Sequence, residues 1–276
     1  MLDLDELIQR ANELEPLPAS AVRLASLLGS GQCDLTEVAD IIAYDEALTV
    51  RLLRAANSAA TGGATRVTRA QEAVFRLGAS RVMALTVASK VNGLLKQHVK
   101  AYNLSEGALW EHSVATAAAA ETLQEFTQEP LPQETFTASL LHDIGKLVMG
   151  RFLTTEDLEW LRRAACEGGL HPLDAERQIL GVHHGELGGI IAQHWQLPEG
   201  IVKGIIYHHS PEEGLDPICD AVYVANLLGK VIADTPSASP TPASLERLGI
   251  DPGQMESLTS AAKARFTAVK ARYNSV

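Results

Sequence analysis

The sequence has few aromatic residues, and it lacks the alternation of polar and apolar residues that would predict a β-sheet. Phe, Trp and Tyr make up 5% of its 276 residues, whereas Ala and Leu are frequent. Because Ala and Leu favour helices while aromatic and β-branched residues favour strands, this composition predicts an all-α fold. Hydrophobic residues account for 46% of the chain, which is enough for a sizeable core.

Cysteine, basic charge and long apolar runs are also scarce. The three cysteines, Cys33, Cys166 and Cys219, are widely spaced and odd in number, which argues against a disulfide framework or a thiolate zinc site. A net charge of −11 argues against nucleic-acid and anionic-membrane partners. No apolar stretch is long enough to span a bilayer, and the acidic start is unlike a signal peptide. We therefore expect a cytoplasmic protein.

We predict four units along the chain, the first ended by the Pro16/Pro18 pair and the last opened by a Pro/Ser/Thr-rich stretch. These are an N-terminal helix (1–13), an N-terminal helical lobe (14–98), a helical bundle (99–234), and a linker with a C-terminal helix (235–276). Within the lobe, Asn57 is placed to brace a turn. We expect residues 235–244 to be an exposed linker, and the last helix to be a packing or dimer element.

The apolar run of residues 139–148 contains His142 and Asp143 side by side, followed by Lys146. Burying His and Asp is unfavourable unless both side chains find partners. A metal ion would satisfy both of them. The alternative is a hydrogen-bonded polar pair at the end of a helix.

Other ligand-type residues lie on predicted helices or at their ends, namely His112, His184, His208, His209 and Asp220. Imidazoles and carboxylates without thiolates suit one or two ions of Fe, Mn, Ni or Zn. Each residue alone has a simpler interpretation, since a single inward-facing His is usually a hydrogen-bonded core residue. The sequence leaves open whether His208 or His209 is the ligand, because adjacent helical residues point about 100° apart. His183 is expected to face solvent.

Together these residues resemble the HD superfamily of metal-dependent phosphohydrolases, including its HD-GYP branch. The matching positions are His112, His142-Asp143 with Gly145-Lys146, the stretch 184–188, His208-His209 and Asp220. The N-terminal half is similar to the HDOD family. That similarity rests on Leu17-Pro18-Ala19-Ser20, on residues 45–49, 51–59 and 73–78, and on Trp110-Glu111-His112-Ser113 and Trp195-Gln196-Leu197-Pro198. The resemblance covers about residues 14–231.

The resemblance implies an HD-like helical bundle with an additional N-terminal lobe. It also implies a divalent transition metal at a site formed by His112, His142, Asp143, His184, His208, His209 and Asp220. Asp143 and Lys146 are the candidate catalytic residues, because a Lys at this position in HD hydrolases can contact a substrate phosphate. Two features depart from the HD-GYP pattern. No Gly-Tyr-Pro follows His209, and Ala108 stands where that branch has a Glu.

Two functions follow from the resemblance. The first is a bacterial signal-transduction or regulatory module that binds a protein partner or a small signalling ligand, with a homodimer as a further alternative. The second is a metal-dependent phosphohydrolase acting on a nucleotide or phosphate ester. The missing HD-GYP elements argue against cyclic-dinucleotide hydrolysis. Whether the chain is an enzyme stays open at this point.

Overall fold

The computed structural model describes residues 4–14, 17, 19–29, 34–43, 46–57, 66–235 and 237–273. These residues form helices and turns but no β-strand, and their one isolated antiparallel bridge joins Val99 and Leu104. The predicted all-α class is therefore confirmed. In the same part of the chain, no helix combines the length and the apolar character that crossing a membrane requires.

Seventeen α-helices lie in the described residues. Six precede residue 100, namely α1 (Leu4–Asn12), α2 (Ala19–Gly29), α3 (Leu35–Ala43), α4 (Glu46–Ala56), α5 (Ala70–Leu77) and α6 (Ala79–Leu95). Eleven follow, namely α7 (Ala108–Leu123), α8 (Thr135–Leu141), α9 (Gly145–Phe152), α10 (Thr155–Cys166), α11 (Pro172–Leu180), α12 (His184–His194), α13 (Glu199–Ile206), α14 (Pro211–Gly214), α15 (Pro217–Ile232), α16 (Pro242–Arg247) and α17 (Met255–Tyr273).

Helices α2 to α6 pack on one another, and Asn57 joins two of them. Its Oδ1 accepts a hydrogen bond from the Val67 amide at 2.7 Å, and its Nδ2 donates to the Val67 carbonyl at 2.8 Å and to the Leu53 carbonyl at 2.9 Å. These bonds tie the end of α4 to the segment that leads into α5. The expected brace is confirmed, although residues 58–65 of the turn itself lie outside the described part, as does Cys33.

Helix α7 is the centre of the second group of helices and packs against α8, α15 and α17. Its alanine-rich middle, residues 115–120, is buried, and these small side chains let neighbouring helices approach closely. Gly229 of α15 makes the tightest approach. A Cβ at this position would overlap the Thr116 hydroxyl and lie 3.0 Å from the Thr116 amide nitrogen. The pairing of α7 with α15 therefore depends on a missing side chain.

The ends of the chain also pack on this bundle. Leu7 and Ala11 of α1 are fully buried, and α1 contacts α9 and α12. At the other end, α17 packs against α7 and α15, which agrees with a packing role for the last helix.

The expected linker is shorter than predicted. Within residues 235–244, Thr241 caps α16 by accepting a hydrogen bond from the Ser244 amide at 3.3 Å, and Ser244 is buried. The prediction of an exposed stretch through residue 244 was wrong, because a Pro/Ser/Thr-rich composition suits a helix cap as well as a linker.

We expect Gly229→Ala to lower the free energy of unfolding by about 1–3 kcal/mol, since the new methyl group has no space against Thr116. Gly200→Ala is the matched control, because a Cβ there meets its nearest atom, Cδ1 of Ile218, at 3.8 Å. Both changes replace a helical glycine, so both gain helix propensity. Urea unfolding of the two variants measures the difference, and equal stabilities would contradict the close packing of α7 on α15.

Candidate metal centre

The turn between α8 and α9 places His142 and Asp143 inside the bundle. Helix α9 begins at Gly145 and lies directly against α12. A Cβ on residue 145 would overlap the carbonyl oxygen of His184, so only glycine permits this approach. The Asp143 side chain is 2% exposed. The apolar run of residues 139–148 is thus mostly buried, and it places the Asp143 carboxylate between the helices.

The two oxygens of Asp143 face different histidines. Its Oδ2 lies 3.4 Å from Nε2 of His142 and 3.6 Å from Nε2 of His112. Its Oδ1 lies 3.3 Å from Nε2 of His184 and 3.7 Å from Nε2 of His208. One carboxylate is therefore shared between two sets of imidazoles from α7, the α8–α9 turn, α12 and the end of α13.

Two groups of three potential ligands result. One group is His112, His142 and Asp143, and the other is His184, His208 and His209. Within each group the ligand atoms lie within 4.8 Å of one another. Both His208 and His209 belong to the second group. Helix α13 ends at Ile206, so the 100° separation of adjacent helical residues does not apply to this pair. Nε2 of His209 lies 3.0 Å from Nε2 of His184.

Backbone carbonyls fix the orientation of two of these rings. Nδ1 of His142 lies 2.7 Å from the Ser139 carbonyl, and Nδ1 of His208 lies 2.6 Å from the Ile205 carbonyl. A carbonyl oxygen can only accept a hydrogen bond, so Nδ1 carries the proton in both rings. With the proton on Nδ1, the Nε2 atom is the one that faces the centre and can offer its lone pair to a metal.

Glu176 orients His184, and the sequence analysis missed it. The Glu176 Oε2 accepts hydrogen bonds from His184 Nδ1 at 2.8 Å and from the His184 amide at 2.7 Å. The Tyr102 hydroxyl donates to the other oxygen at 2.9 Å. A carboxylate behind a ligating imidazole is a common support in metal sites. Nothing in the sequence distinguishes Glu176 from the exposed acidic residues of neighbouring helices.

Asp220, predicted as a ligand, lies in neither group. Both of its oxygens accept hydrogen bonds from Arg247, at 2.7 and 2.8 Å, so the buried carboxylate is neutralised by α16. Asn226, six residues further along α15, points to the centre instead, and its Oδ1 lies 3.1 Å from Nε2 of His112. The assignment of Asp220 is corrected in favour of Asn226. The sequence feature that could have identified Asn226 is its position as a single side-chain amide within the apolar run of residues 221–228.

His183 also differs from expectation, because it is buried rather than facing solvent. Its Nδ1 accepts hydrogen bonds from the amides of Gly185 at 2.9 Å and Glu186 at 3.4 Å, and so caps the N-terminus of α12. Imidazole is an uncommon helix cap, so the sequence alone does not reveal this role of His183. This cap fixes the first turn of α12, where His184 lies.

The electrostatics favour neutral imidazoles around an ionised carboxylate. Burial and the neighbouring His142 lower the pKa of His112 to about 3. Burial and nearby histidines also hold the pKa values of His208 and His209 well below the usual range. Burial alone would favour neutral Asp143, but the Lys146 ammonium, 2.7 Å from Oδ2, and the adjacent histidines hold the pKa of this carboxyl well below its usual range.

His184 is the exception among these histidines. Burial and the Lys146 charge oppose its protonation, yet the neighbouring carboxylates of Asp143 and Glu176 raise its pKa. The two carboxylates thus favour a positive charge on the His184 side of the centre. A proton or a metal cation can supply that charge.

Two buried atoms in the centre have no hydrogen-bond partner among the described residues. They are Oδ1 of Asp143 and Nε2 of His208, which lie 3.7 Å apart. An unpaired carboxylate oxygen and an unpaired imidazole lone pair, both removed from water, are unfavourable unless a cation or a proton lies between them. The centre therefore has the donor set and the unsatisfied atoms that fit a bound metal ion.

An HD-like helical bundle with this His/Asp centre defines the class of protein. The model of the HDOD domain matches residues 14–211, which is most of the sequence, and the chain belongs to the HDOD family. The resemblance seen in the sequence motifs is confirmed.

The chain is also similar to three individual proteins. An "Uncharacterized protein" of Treponema pallidum (strain Nichols) is 26% identical over 223 residues, which are 79% of this chain but 42% of that protein. The chain thus spans less than half the length of this curated relative. Crystal structures of a "Putative phosphohydrolase" from Shewanella amazonensis SB2B and a "Putative signal transduction protein" from Marinobacter aquaeolei VT8 share its fold.

The Shewanella protein is 25% identical, with a TM-score of 0.68 and coverage of 94% of this chain and 96% of that chain. The Marinobacter protein is 22% identical, with a TM-score of 0.73 and coverage of 98% of this chain and 61% of that chain. At this identity the second likeness shows the fold alone.

The hydrogen bonds predict opposite tautomers for two buried histidines in the metal-free protein. His208 should carry its proton on Nδ1, which donates to the Ile205 carbonyl, whereas His183 should carry it on Nε2, because its Nδ1 accepts from Gly185. Burial lowers the pKa of His183 to about 4 and holds the pKa of His208 well below its usual range, so both rings are neutral at pH 7. Long-range ¹H–¹⁵N NMR spectra distinguish the tautomers. A protonated Nε2 on His208 would contradict the ligand geometry.

Proposed function

We propose that this chain is a metal-binding signalling module of the HDOD family, whose His/Asp centre holds one or two divalent transition-metal ions. The observation that carries the proposal is the pair of buried, unpaired atoms, Oδ1 of Asp143 and Nε2 of His208. Leaving such groups unsatisfied costs about 1–3 kcal/mol each. Bound metal would offset this cost, and binding would in turn stabilise the fold.

The donor set indicates which metals suit the centre. Its ligands are five imidazoles and one carboxylate, with the amide oxygen of Asn226 beside them and no thiolate. Such nitrogen and oxygen donors favour Fe, Mn, Ni or Zn over soft ions such as Cu(I). The residues that would hold metal are His112, His142, Asp143, His184, His208 and His209.

A bound metal would act as a Lewis acid for a phosphate oxygen and would lower the pKa of water. The protein's own residues prepare the centre for this. Asp143 stays ionised, His142 and His208 keep their Nε2 lone pairs available, and Glu176 holds the ring of His184 in place. The small ligand of the module would therefore be a phosphate-bearing compound.

The regulatory part of the proposal rests on family membership and on helix contacts. Helix α6, the last helix of the α2–α6 group, contacts α7, which carries His112, and α8, which precedes His142. Ligand binding at the centre would thus shift the N-terminal helices through these contacts. A protein partner would bind differently to the shifted helices, and a second copy of the chain is the alternative partner.

A second candidate is a metal-dependent phosphohydrolase. The observation that favours it is Lys146, whose ammonium lies 2.7 Å from Oδ2 of Asp143 and whose side chain is 17% exposed and so partly accessible to solvent. Asp143 and Lys146 would then be catalytic. Cyclic-dinucleotide hydrolysis of the HD-GYP kind lacks support, since α7 has Ala108 one turn before His112. Glu111, the acidic residue next to His112 in the sequence, does not take the place of the HD-GYP branch's Glu, because its carboxylate pairs with Lys270 of α17 at 2.8 Å.

Elemental analysis of the purified protein, without added metal, tests the proposal. We expect near-stoichiometric Fe, Mn, Ni or Zn in the wild type and a large loss of metal in Asp143→Ala. Asp220→Ala is the matched control, because it removes a buried carboxylate that pairs with Arg247 rather than with the centre. Circular dichroism checks that both variants fold.

Equal metal contents in the wild type and folded Asp143→Ala would show that the site is elsewhere. Loss of metal in Asp220→Ala alone would restore the original ligand assignment. Phosphatase and phosphodiesterase assays on the metal-loaded wild type then separate the two candidates, since turnover that disappears in Asp143→Ala favours the hydrolase.

A further inference from the structure

Lys230 lies beside the metal centre although no sequence motif includes it. It is on α15, one turn after Asn226, and residues four apart on a helix share a face. Asn226 contacts His112, so the same face of α15 carries Lys230 towards the centre. Its side chain is partly buried, and its charge acts on Asp143, His112 and His209.

The Lys230 ammonium has no carboxylate or hydrogen-bond partner among the residues that the structure describes. Four other described lysines do have a carboxylate partner, namely Lys146, Lys203, Lys263 and Lys270. Burial lowers the pKa of Lys230, while the Asp143 charge acts in the opposite direction. A partly buried cation without a counter-ion is unfavourable, and an anion from solution would stabilise it.

Lys146 provides a second positive charge at the same place. Both ammonium charges act electrostatically on His112 and His209, and the two charges also act on each other. The two lysines differ in one respect. The Lys146 charge is largely neutralised by Asp143 at 2.7 Å, whereas that of Lys230 is not directly paired.

We propose that Lys230 is a phosphate-binding residue, which together with Lys146 holds the phosphate group of the ligand at the metal centre. The inference deepens the proposed function and rests on it. The chain as a whole carries a net charge of −11 and gives an anion no general attraction. A local cation that is not already neutralised therefore has to provide the attraction, and charge-assisted hydrogen bonds to phosphate suit an ammonium.

Isothermal titration of inorganic phosphate into the metal-reconstituted protein of 276 residues tests this role. We expect Lys230→Gln to raise the Kd for phosphate about tenfold or more, as loss of one charge-assisted hydrogen bond predicts. Metal content, measured in parallel, should stay unchanged because Lys230 is not a ligand. Lys203→Gln is the matched control, since it removes the same charge from α13, where Lys203 pairs with Glu199.

Lys230→Arg keeps the charge, and its Kd should stay within about threefold of the wild-type value, because a guanidinium also binds phosphate. If Lys230→Gln does not fold, Lys230→Arg provides the test instead. A tenfold loss of phosphate affinity in folded Lys230→Arg would contradict the inference. An unchanged Kd in Lys230→Gln with intact metal would overturn the role of Lys230 but leave the metal centre standing. Absence of metal in the wild type would overturn the proposed function instead. In that case phosphate is titrated into the metal-free wild type and metal-free Lys230→Gln. The inference predicts that the variant still binds phosphate more weakly than the wild type.

Discussion

The buried carboxylate of Asp143 is the constraint on which the rest of the structure depends. An ionised carboxylate in an apolar interior is tolerated only when charges and hydrogen bonds surround it. Lys146 and two imidazoles meet one of its oxygens, and His184 and His208 approach the other. Those groups come from separate helices, so the packing of the bundle is arranged around one side chain. The oxygen that has no hydrogen bond is the point at which a bound cation would complete the set of partners.

Close helix approach makes this arrangement achievable. Gly145 lets α9 lie against the first turn of α12, and Gly229 lets α15 lie against α7. Larger side chains at either position would separate the elements that carry Asp143, His184, Asn226 and His112. The alanine-rich interior of α7 has the same consequence. A composition poor in aromatic residues and rich in small ones therefore suits this core. Small side chains let several helices approach until their polar groups lie within bonding distance.

Much of the fold was predictable because its signals are local. Helical composition predicted the all-α class, and the resemblance to known motifs identified the family and its His142-Asp143 pair. The errors came from interactions between distant segments. Asp220 has an inward helical position that periodicity cannot distinguish from that of Asn226, and its partner Arg247 lies on a helix beyond the presumed linker. Glu176 supports His184 only through tertiary packing. Periodicity predicts which face is buried, but not which buried polar groups meet.

The central claim is that imidazoles around Asp143 hold a transition metal, and X-ray absorption spectroscopy of the metal-loaded wild type tests it most directly. The account predicts nitrogen and oxygen neighbours, the outer-shell scattering that is typical of several imidazole rings per metal, and no sulfur neighbour. A spectrum with sulfur ligands, or one with oxygen neighbours and no imidazole scattering, would contradict the account. In that case the His/Asp cluster would be a polar core without a metal.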